Sequence, residues 1–377
     1  MQQPYFPQDL LEQVLMLLFF LAFLIQMVYF WGILRKLAFY RPKEVVASGE
    51  AVSVVICARN EYGNLKNHLP LILAQDYPDF EVVVVNDNSQ DDSLELLEEM
   101  ARDDKRLKIV NLSQELNFFI GKKFPLSLGI KSAANDIILL TDADCRPSSD
   151  KWISNMASRF RGETEIVLGY GAYERKASLL NLLIRHETLW VAIQYLSYAL
   201  IGRTYMGVGR NMAYRKRLFI ESKGFSSHYT VASGDDDLFI NSVATARNVA
   251  VEVGDGSYTI SIPETSFGKW FRQKRRHVST WKYYRGVFKR MLGAWAISQF
   301  AFWGLFALLL VLGYNYIIVG CVFLLRFVSY LLITKLSMNK LNERKIFVFS
   351  LIAELFLIIF YPLVSLVNMF SKPDKWK

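Results

Sequence analysis

The stretch that decides the fold is "IILLTDADC", Ile137 to Cys145. Its first four residues are aliphatic without interruption, the pattern of a strand buried on both faces. The run stops in two carboxylates one residue apart, Asp142 and Asp144. A buried strand is a rigid mount, so whatever these charges hold is held in register. Similar apolar runs come before it at "AVSVVICA" (51–58), "EVVVVND" (81–87) and "LKIVNL" (107–112). Helical patterns separate them, such as "QDDSLELLEEMARDD" (90–104), with a capping residue and acids in its first turn. This alternation predicts an α/β domain built on a mostly parallel, doubly wound sheet.

In such sheets ligands bind beyond the carboxyl ends of the strands. Three predicted strands end in polar groups: Arg59-Asn60-Glu61, Asn86-Asp87-Asn88 and Asp142-Ala143-Asp144. The three tips fall on one edge of the sheet. Two carboxylates at this spacing suit a hard divalent cation, Mg²⁺ or Mn²⁺, which fills its remaining sites with water and phosphate oxygens. An ion bridging a diphosphate would stabilise it as a leaving group. A turn that caps a following helix, with "PSSDKW" (147–152) next door, accounts for the same aspartates. A phosphatase of the haloacid dehalogenase type would need Thr or Val at position 146, where this chain has Arg.

Further along, "SGDDDLFINS" (233–242) sets three acids before an apolar stretch. They suit a helix N-terminus, and they also suit a general base, because close-packed carboxylates raise one another's proton affinity. "RQKRRH" (272–277) reads either as a basic collar beside a membrane or as a cluster that neutralises a diphosphate. The segment 177–202 is apolar but broken by Arg185, His186, Glu187 and Gln194. It is expected to be a helix lying on a membrane rather than crossing it.

The chain has 377 residues, 52% of them hydrophobic, and a net charge of +9. The apolar excess is concentrated at the two ends. Val14 to Leu34 is apolar except for Gln26 and long enough to span a bilayer, and it lacks a small-residue cleavage site. Three more apolar blocks follow at 292–312, 314–334 and 346–370, the second interrupted by Arg326. An arginine at that depth is expected to face a neighbouring helix, a phosphate or water.

The predicted layout is an anchor over 1–44, an α/β domain over 45–290 and about three membrane helices over 291–377. Basic residues follow the first block (Arg35, Lys36, Arg41, Lys43) and separate the last two (Lys335, Lys340, Arg344, Lys345), which places both segments on the cytoplasmic side. Four spans would put both termini outside, whereas the lysine-rich tail "KPDKWK" (372–377) favours a last block that is re-entrant or lies on the surface. The basic residues cluster beside the membrane segments, which points to anionic lipid and away from nucleic acid. Cys57, Cys145 and Cys321 are scattered in apolar context, with neither a disulfide framework nor a zinc spacing, and fit a reducing compartment.

Taken in order, Asp87, Asp142-Ala143-Asp144, Gly234-Asp235-Asp236 and Gln273-x-x-Arg276, followed by membrane spans, resemble the inverting family-2 glycosyltransferases. The likeness is to the membrane-integrated branch that includes cellulose, chitin and hyaluronan synthases and ceramide glucosyltransferase, and covers roughly residues 50 to 290. The resemblance implies a GT-A fold, a nucleotide-sugar donor (usually a UDP-sugar) and a lipid or glycan acceptor at the inner face of the cell membrane.

By the same resemblance Ala58, Arg59, Asn60 and Glu61 form the loop around the nucleotide, and Asp87 contacts its base. Asp142 and Asp144 hold Mg²⁺ or Mn²⁺ and the diphosphate. Lys122, in "GKKFPLSLGI" (121–130), lies near the donor, and Gln273 and Arg276 serve it too. "GVGRNMAYRK" (207–216) brings Gly209 and Asn211 to the acceptor side. Asp236 is the implied base with Asp235 beside it, and an alignment one residue earlier exchanges their roles. His277 stands where the family has a tryptophan that stacks on the acceptor. Single transfer to a lipid or lipid-linked glycan fits the short set of spans better than processive polymerisation. A non-catalytic scaffold would not need the complete carboxylate set, and a transporter would need more spans.

Overall fold

The computed structural model describes residues 8–42, 44, 49–113, 121–231 and 233–371. Lys43 and the tail 372–377 lie outside them. Two units form, one from Met1–Tyr40 with Arg285–Pro362 and the other from Arg41–Tyr284 with Leu363–Lys377.

Among the described residues the second unit has ten strands. They are β1 (Val52–Ala58), β2 (Phe80–Asp87), β3 (Leu107–Leu112), β4 (Ile137–Leu140), β5 (Cys145–Pro147), β6 (Ile166–Leu168), β7 (Gly171–Tyr173), β8 (Met212–Arg215), β9 (Val249–Val251) and β10 (Thr259–Ser261). The main sheet has the order β3-β2-β1-β4-β8-β6-β9. Strands β1 to β4 run parallel, with Ala58 opposite Asn86 and Val55 opposite Leu140, so their carboxyl ends line one edge. The Val-, Ile- and Leu-rich sequences of β1, β2 and β4 follow from burial on both faces.

The sheet is mostly parallel, as expected, and its exception is β8, which runs antiparallel to both β4 and β6. Met212, its first residue, pairs with Leu140, the last residue of β4. The chain thus enters β8 from the site edge, which puts the glycine-rich turn before it beside the carboxylates. A separate three-stranded sheet has the order β5-β10-β7. The helix Lys123–Ser132 lies close on the main sheet: a Cβ at Gly129 would stand 2.7 Å from Val85 and 2.8 Å from Val55. That approach fixes its first residues over the sheet's carboxyl edge.

The helix Leu179–Leu200 does correct an expectation. Arg185, His186, Glu187 and most of its apolar residues are buried inside the unit, so it is a core helix and not one lying on a membrane. Its charged break faces inward: Glu187 pairs with Lys274 at 2.5 Å, and both side chains are buried. Local apolar density looks the same in a core helix and a surface-lying one, and only the partner tells them apart.

In the first unit, Gln8–Met27 continues through Val28–Leu34 into Arg35–Ala38. Four helices, Leu10–Ala38, Gly286–Leu312, Tyr316–Lys340 and Ile352–Phe370, are long and apolar enough to cross a membrane. Arg326 is fully buried, and its guanidinium grips the Glu354 carboxylate with both terminal nitrogens while Nε donates to Gln26 at 2.8 Å. The polar interruptions of three separate apolar blocks thus satisfy one another, as the cost of a lone charge in lipid requires.

Candidate active site

The loops after β1 and β2 are stitched together. Asn60 adopts φ +57°, a left-handed conformation that Asn tolerates better than most residues. Its Oδ1 accepts from the Gln90 amide at 2.7 Å, while its own amide donates to Ser89 at 3.0 Å. The Glu61 amide donates to Ser93 at 3.1 Å. Arg59 lies 3.9 Å from Asp87 at the tip of β2. Ala58 is buried within β1, so only the loop it leads into is open to a ligand.

Asp142 and Asp144 follow directly on β4. Lys122, at the head of the helix Lys123–Ser132, donates to Asp142 Oδ1 at 2.8 Å and lies 3.1 Å from Asp235 Oδ2. Burial disfavours its ammonium, but these two carboxylates outweigh burial and hold its pKa well above the usual lysine value. Burial likewise works against the Asp142 carboxylate, and Lys122 and then Arg210 overcome it, so its pKa is lowered. For Asp144, Arg210 acts in the same direction but is outweighed. Burial and the Asp142 charge push it up to about 6.

The acidic triplet splits into three environments. Asp235 faces Lys122. Asp236 accepts from the amides of Gly209 at 2.9 Å and Asp237 at 2.7 Å, yet burial and its two acidic neighbours push its pKa to about 7. Asp237 is buried and accepts from the hydroxyls of Thr280 and Tyr284, so its function is to tie the segment down. Identical residues therefore sit in three different chemical states.

The remaining predicted residues divide. Gly209 reaches the site through its amide. Asn211 does not, which is a correction: its side chain is fully buried, donating to the carbonyls of Tyr170 and Ser257 at 2.9 and 2.8 Å and accepting from Trp152. It braces the start of β8 and offers nothing to an acceptor. Gln273, Arg276 and His277 share the helix Phe267–Val278, where Gln273 Oε1 is buried without a partner. His277 is exposed and feels the positive charges of Lys274, Arg276, Arg210 and Lys122. The basic run is not uniform, since Lys274 turns inward to Glu187 and Arg275 binds Asn368 and Ser371.

Three residues missed in the sequence belong here. Arg210, between the two residues taken for the acceptor side, donates to Ser261 at 3.0 Å, stacks 4.3 Å from the Tyr173 ring and lowers the proton affinity of Asp142 and Asp144. Lys123 holds the loop that leads to the acidic triplet. Cys145 lies beside Asp144. Its apolar context hid it, although its place one residue past the carboxylate pair was a usable signal.

Ligand atoms of Asp142, Asp144 and Cys145 lie within 4.8 Å of one another. The two carboxylates, one residue apart at the end of β4, fit a hard divalent cation by donor type and spacing. The thiol does not fit. Burial holds its pKa well above the usual cysteine value, and it shares hydrogen bonds with Ser261 and Asp144.

Residues 53–222 match the family described as Glycosyl transferase family 2. An uncharacterized glycosyltransferase of Haemophilus influenzae is 28% identical over 146 residues, 38% of this chain and 41% of that protein. A poly-beta-1,6-N-acetyl-D-glucosamine synthase of Staphylococcus epidermidis is 32% identical over 95 residues, 25% of this chain and 22% of its own length. A beta-monoglucosyldiacylglycerol synthase of a Nostoc species is 30% identical over 118 residues, 30% of this chain and 25% of that protein. The chain thus spans less than half the length of these relatives. A mannosyltransferase from Pyrobaculum calidifontis, solved with GDP-Man and Mn²⁺, superposes with a TM-score of 0.60 at 16% identity, over 96% of this chain and 99% of its own. At that identity the likeness concerns the fold. Residues 53–222 thus match a family 2 glycosyltransferase domain, the fold is similar to that of GT-A glycosyltransferases, and four helices are long and apolar enough to span a membrane.

Proposed function

We propose that this protein is an inverting glycosyltransferase that moves a sugar from a nucleotide-sugar to a lipid, lipid-linked or glycan acceptor at the cytoplasmic face of a membrane. In this reading residues 1–44 anchor it, 45–290 catalyse and 291–377 span the membrane. The observation that carries the reading is Lys122, whose one ammonium lies 2.8 Å from Asp142 and 3.1 Å from Asp235. The carboxylates suited to the departing diphosphate and the segment suited to the base are therefore within one side chain's reach, as a single displacement requires.

Asp142 and Asp144 would hold Mg²⁺ or Mn²⁺, which supplies Lewis-acid stabilisation of the leaving diphosphate. Arg59, Asn60, Glu61 and Asp87 frame the nucleoside, while Lys122 and Arg210 offer positive charge to phosphate oxygens. Gln273 Oε1 has an open acceptor valence for a donor hydroxyl. Asp236 is assigned as the base over Asp235, because Asp235 is committed to Lys122 whereas Asp236 has a proton affinity near neutrality. It takes the proton of an acceptor hydroxyl as that oxygen bonds to the anomeric carbon, and the bond to the diphosphate breaks on the opposite face. The configuration inverts.

The test is nucleoside diphosphate release from a panel of UDP- and GDP-sugars with Mg²⁺ or Mn²⁺ in native membranes, for wild type, Asp236→Asn and Asp144→Ala. Metal-dependent release from one donor, absent in both variants, is the expected result. No release from any donor, with lipid extract present and the protein folded, would replace this reading with a binding scaffold.

A further inference from the structure

Lys122 and Lys123 stand at the first positions of a helix, the end where the backbone dipole disfavours cations. Lys122 is accounted for by Asp142 and Asp235. Lys123 is not, and it is only 1% exposed. Its ammonium donates to the carbonyls of His228 at 2.7 Å, Val231 at 2.8 Å and Ser233 at 2.8 Å. An ammonium carries three donors, and here all three go to one short backbone segment. That segment ends at Gly234, whose φ of +100° turns the chain into Asp235 and Asp236.

We infer that Lys123 is a positioning residue for the base, pinning the carbonyls of His228, Val231 and Ser233 so that Asp236 is presented beside the carboxylates Lys122 holds. The inference rests on Asp236 being the base, as proposed above. Adjacent lysines at one helix head thus divide the work, one binding the donor-side carboxylate and the other fixing the loop that brings the base to it. A structural lysine could have been replaced by an apolar residue with the loop closed by its own hydrogen bonds. Three convergent carbonyls instead leave a site that only a compact, three-donor cation satisfies.

Asp236 feels Asp235 and Asp237 on its own segment, Lys122 and Lys123 at the helix head, and Tyr195 on the helix Leu179–Leu200. Removing the Lys123 charge must therefore raise the proton affinity of Asp236. The test compares wild type with Lys123→Met, and with Lys123→Gln, which keeps a donating amide. We expect Lys123→Met to lower kcat about 10- to 100-fold, part of the 10²–10⁴ that a positioned base supplies. Donor KM should stay within about 2-fold, because Lys122 and the carboxylates are untouched. The acid limb of kcat/KM should move to higher pH, and Lys123→Gln should fall between the two.

Amide hydrogen exchange supplies a readout that needs no turnover: residues 229–236 should lose protection while β1 and β2 keep theirs. Unchanged kcat, an unmoved acid limb or unchanged exchange would each overturn the assignment. So would a failure of both variants to fold, since the contact would then support the whole domain. If wild type transfers no sugar, the functional reading fails, and hydrogen exchange still decides whether Lys123 pins the loop.

Discussion

Asp236→Asn separates chemistry from folding. Asp236 binds its proton with a pKa of about 7 in the folded chain, against 3.8 unperturbed, because burial and the charges of Asp235 and Asp237 oppose ionisation. Between those two pH values the folded chain holds a proton that the unfolded chain has released. Stability from this site therefore falls as pH rises across the window, by up to about 1.4 kcal/mol per unit, and levels off above pH 7. Three units amount to about 4 kcal/mol at most. An asparagine carries no charge to desolvate, but its single carbonyl oxygen cannot match both amide contacts, from Gly209 and Asp237, costing back about 1.5–3 kcal/mol.

The variant should thus be more stable than wild type by about 1–2 kcal/mol at pH 8, with the sign reversed near pH 4, where wild type is protonated and only the lost contact, about 1.5–3 kcal/mol, remains. It should also lose about 10²–10⁴ in turnover together with the acid limb near pH 7. Thermal unfolding in detergent at several pH values, paired with diphosphate release, measures both. Turnover within tenfold of wild type, or an acid limb that persists in the variant, would refute Asp236 as the base.

Other outcomes follow from the same geometry. Chelation should abolish diphosphate release and Mn²⁺ or Mg²⁺ restore it, whereas Asp142→Asn should weaken metal binding in titrations made without donor. Lys274→Met strands Glu187 in the core and should destabilise the second unit by about 3–5 kcal/mol, most of it recovered when Glu187→Met is added, as denaturation will show. Asn211→Ala should cost about 3 kcal/mol, roughly one for each hydrogen bond lost, and lower kcat and Tm without a selective rise in acceptor KM.

Much of the fold was legible because its signals are local. Val54 to Ala58 and Val82 to Val85 are apolar runs that suit a doubly covered strand, and the polar residues at their ends mark one edge of the sheet. The direction of β8 was not legible, since four residues pair equally well either way until the position of the preceding turn is known. Nor was the setting of Leu179–Leu200: its inward charges found a partner 87 positions further along, in Lys274.

By itself the sequence determined the strand set, the carboxylates at the strand tips and the apolar helices, because periodicity and residue type act over neighbouring positions. The tertiary structure alone decided that Asp235 faces Lys122, that Asp236 accepts from the Gly209 amide and that Asp237 is held by Thr280 and Tyr284. It alone decided which of Lys122 and Lys123 faces the carboxylates, and that Arg210 rather than Asn211 reaches them. Those are questions of what stands across a few ångströms of space. The answer comes from segments as distant as Gly209, whose amide binds Asp236, and Tyr284, whose hydroxyl binds Asp237.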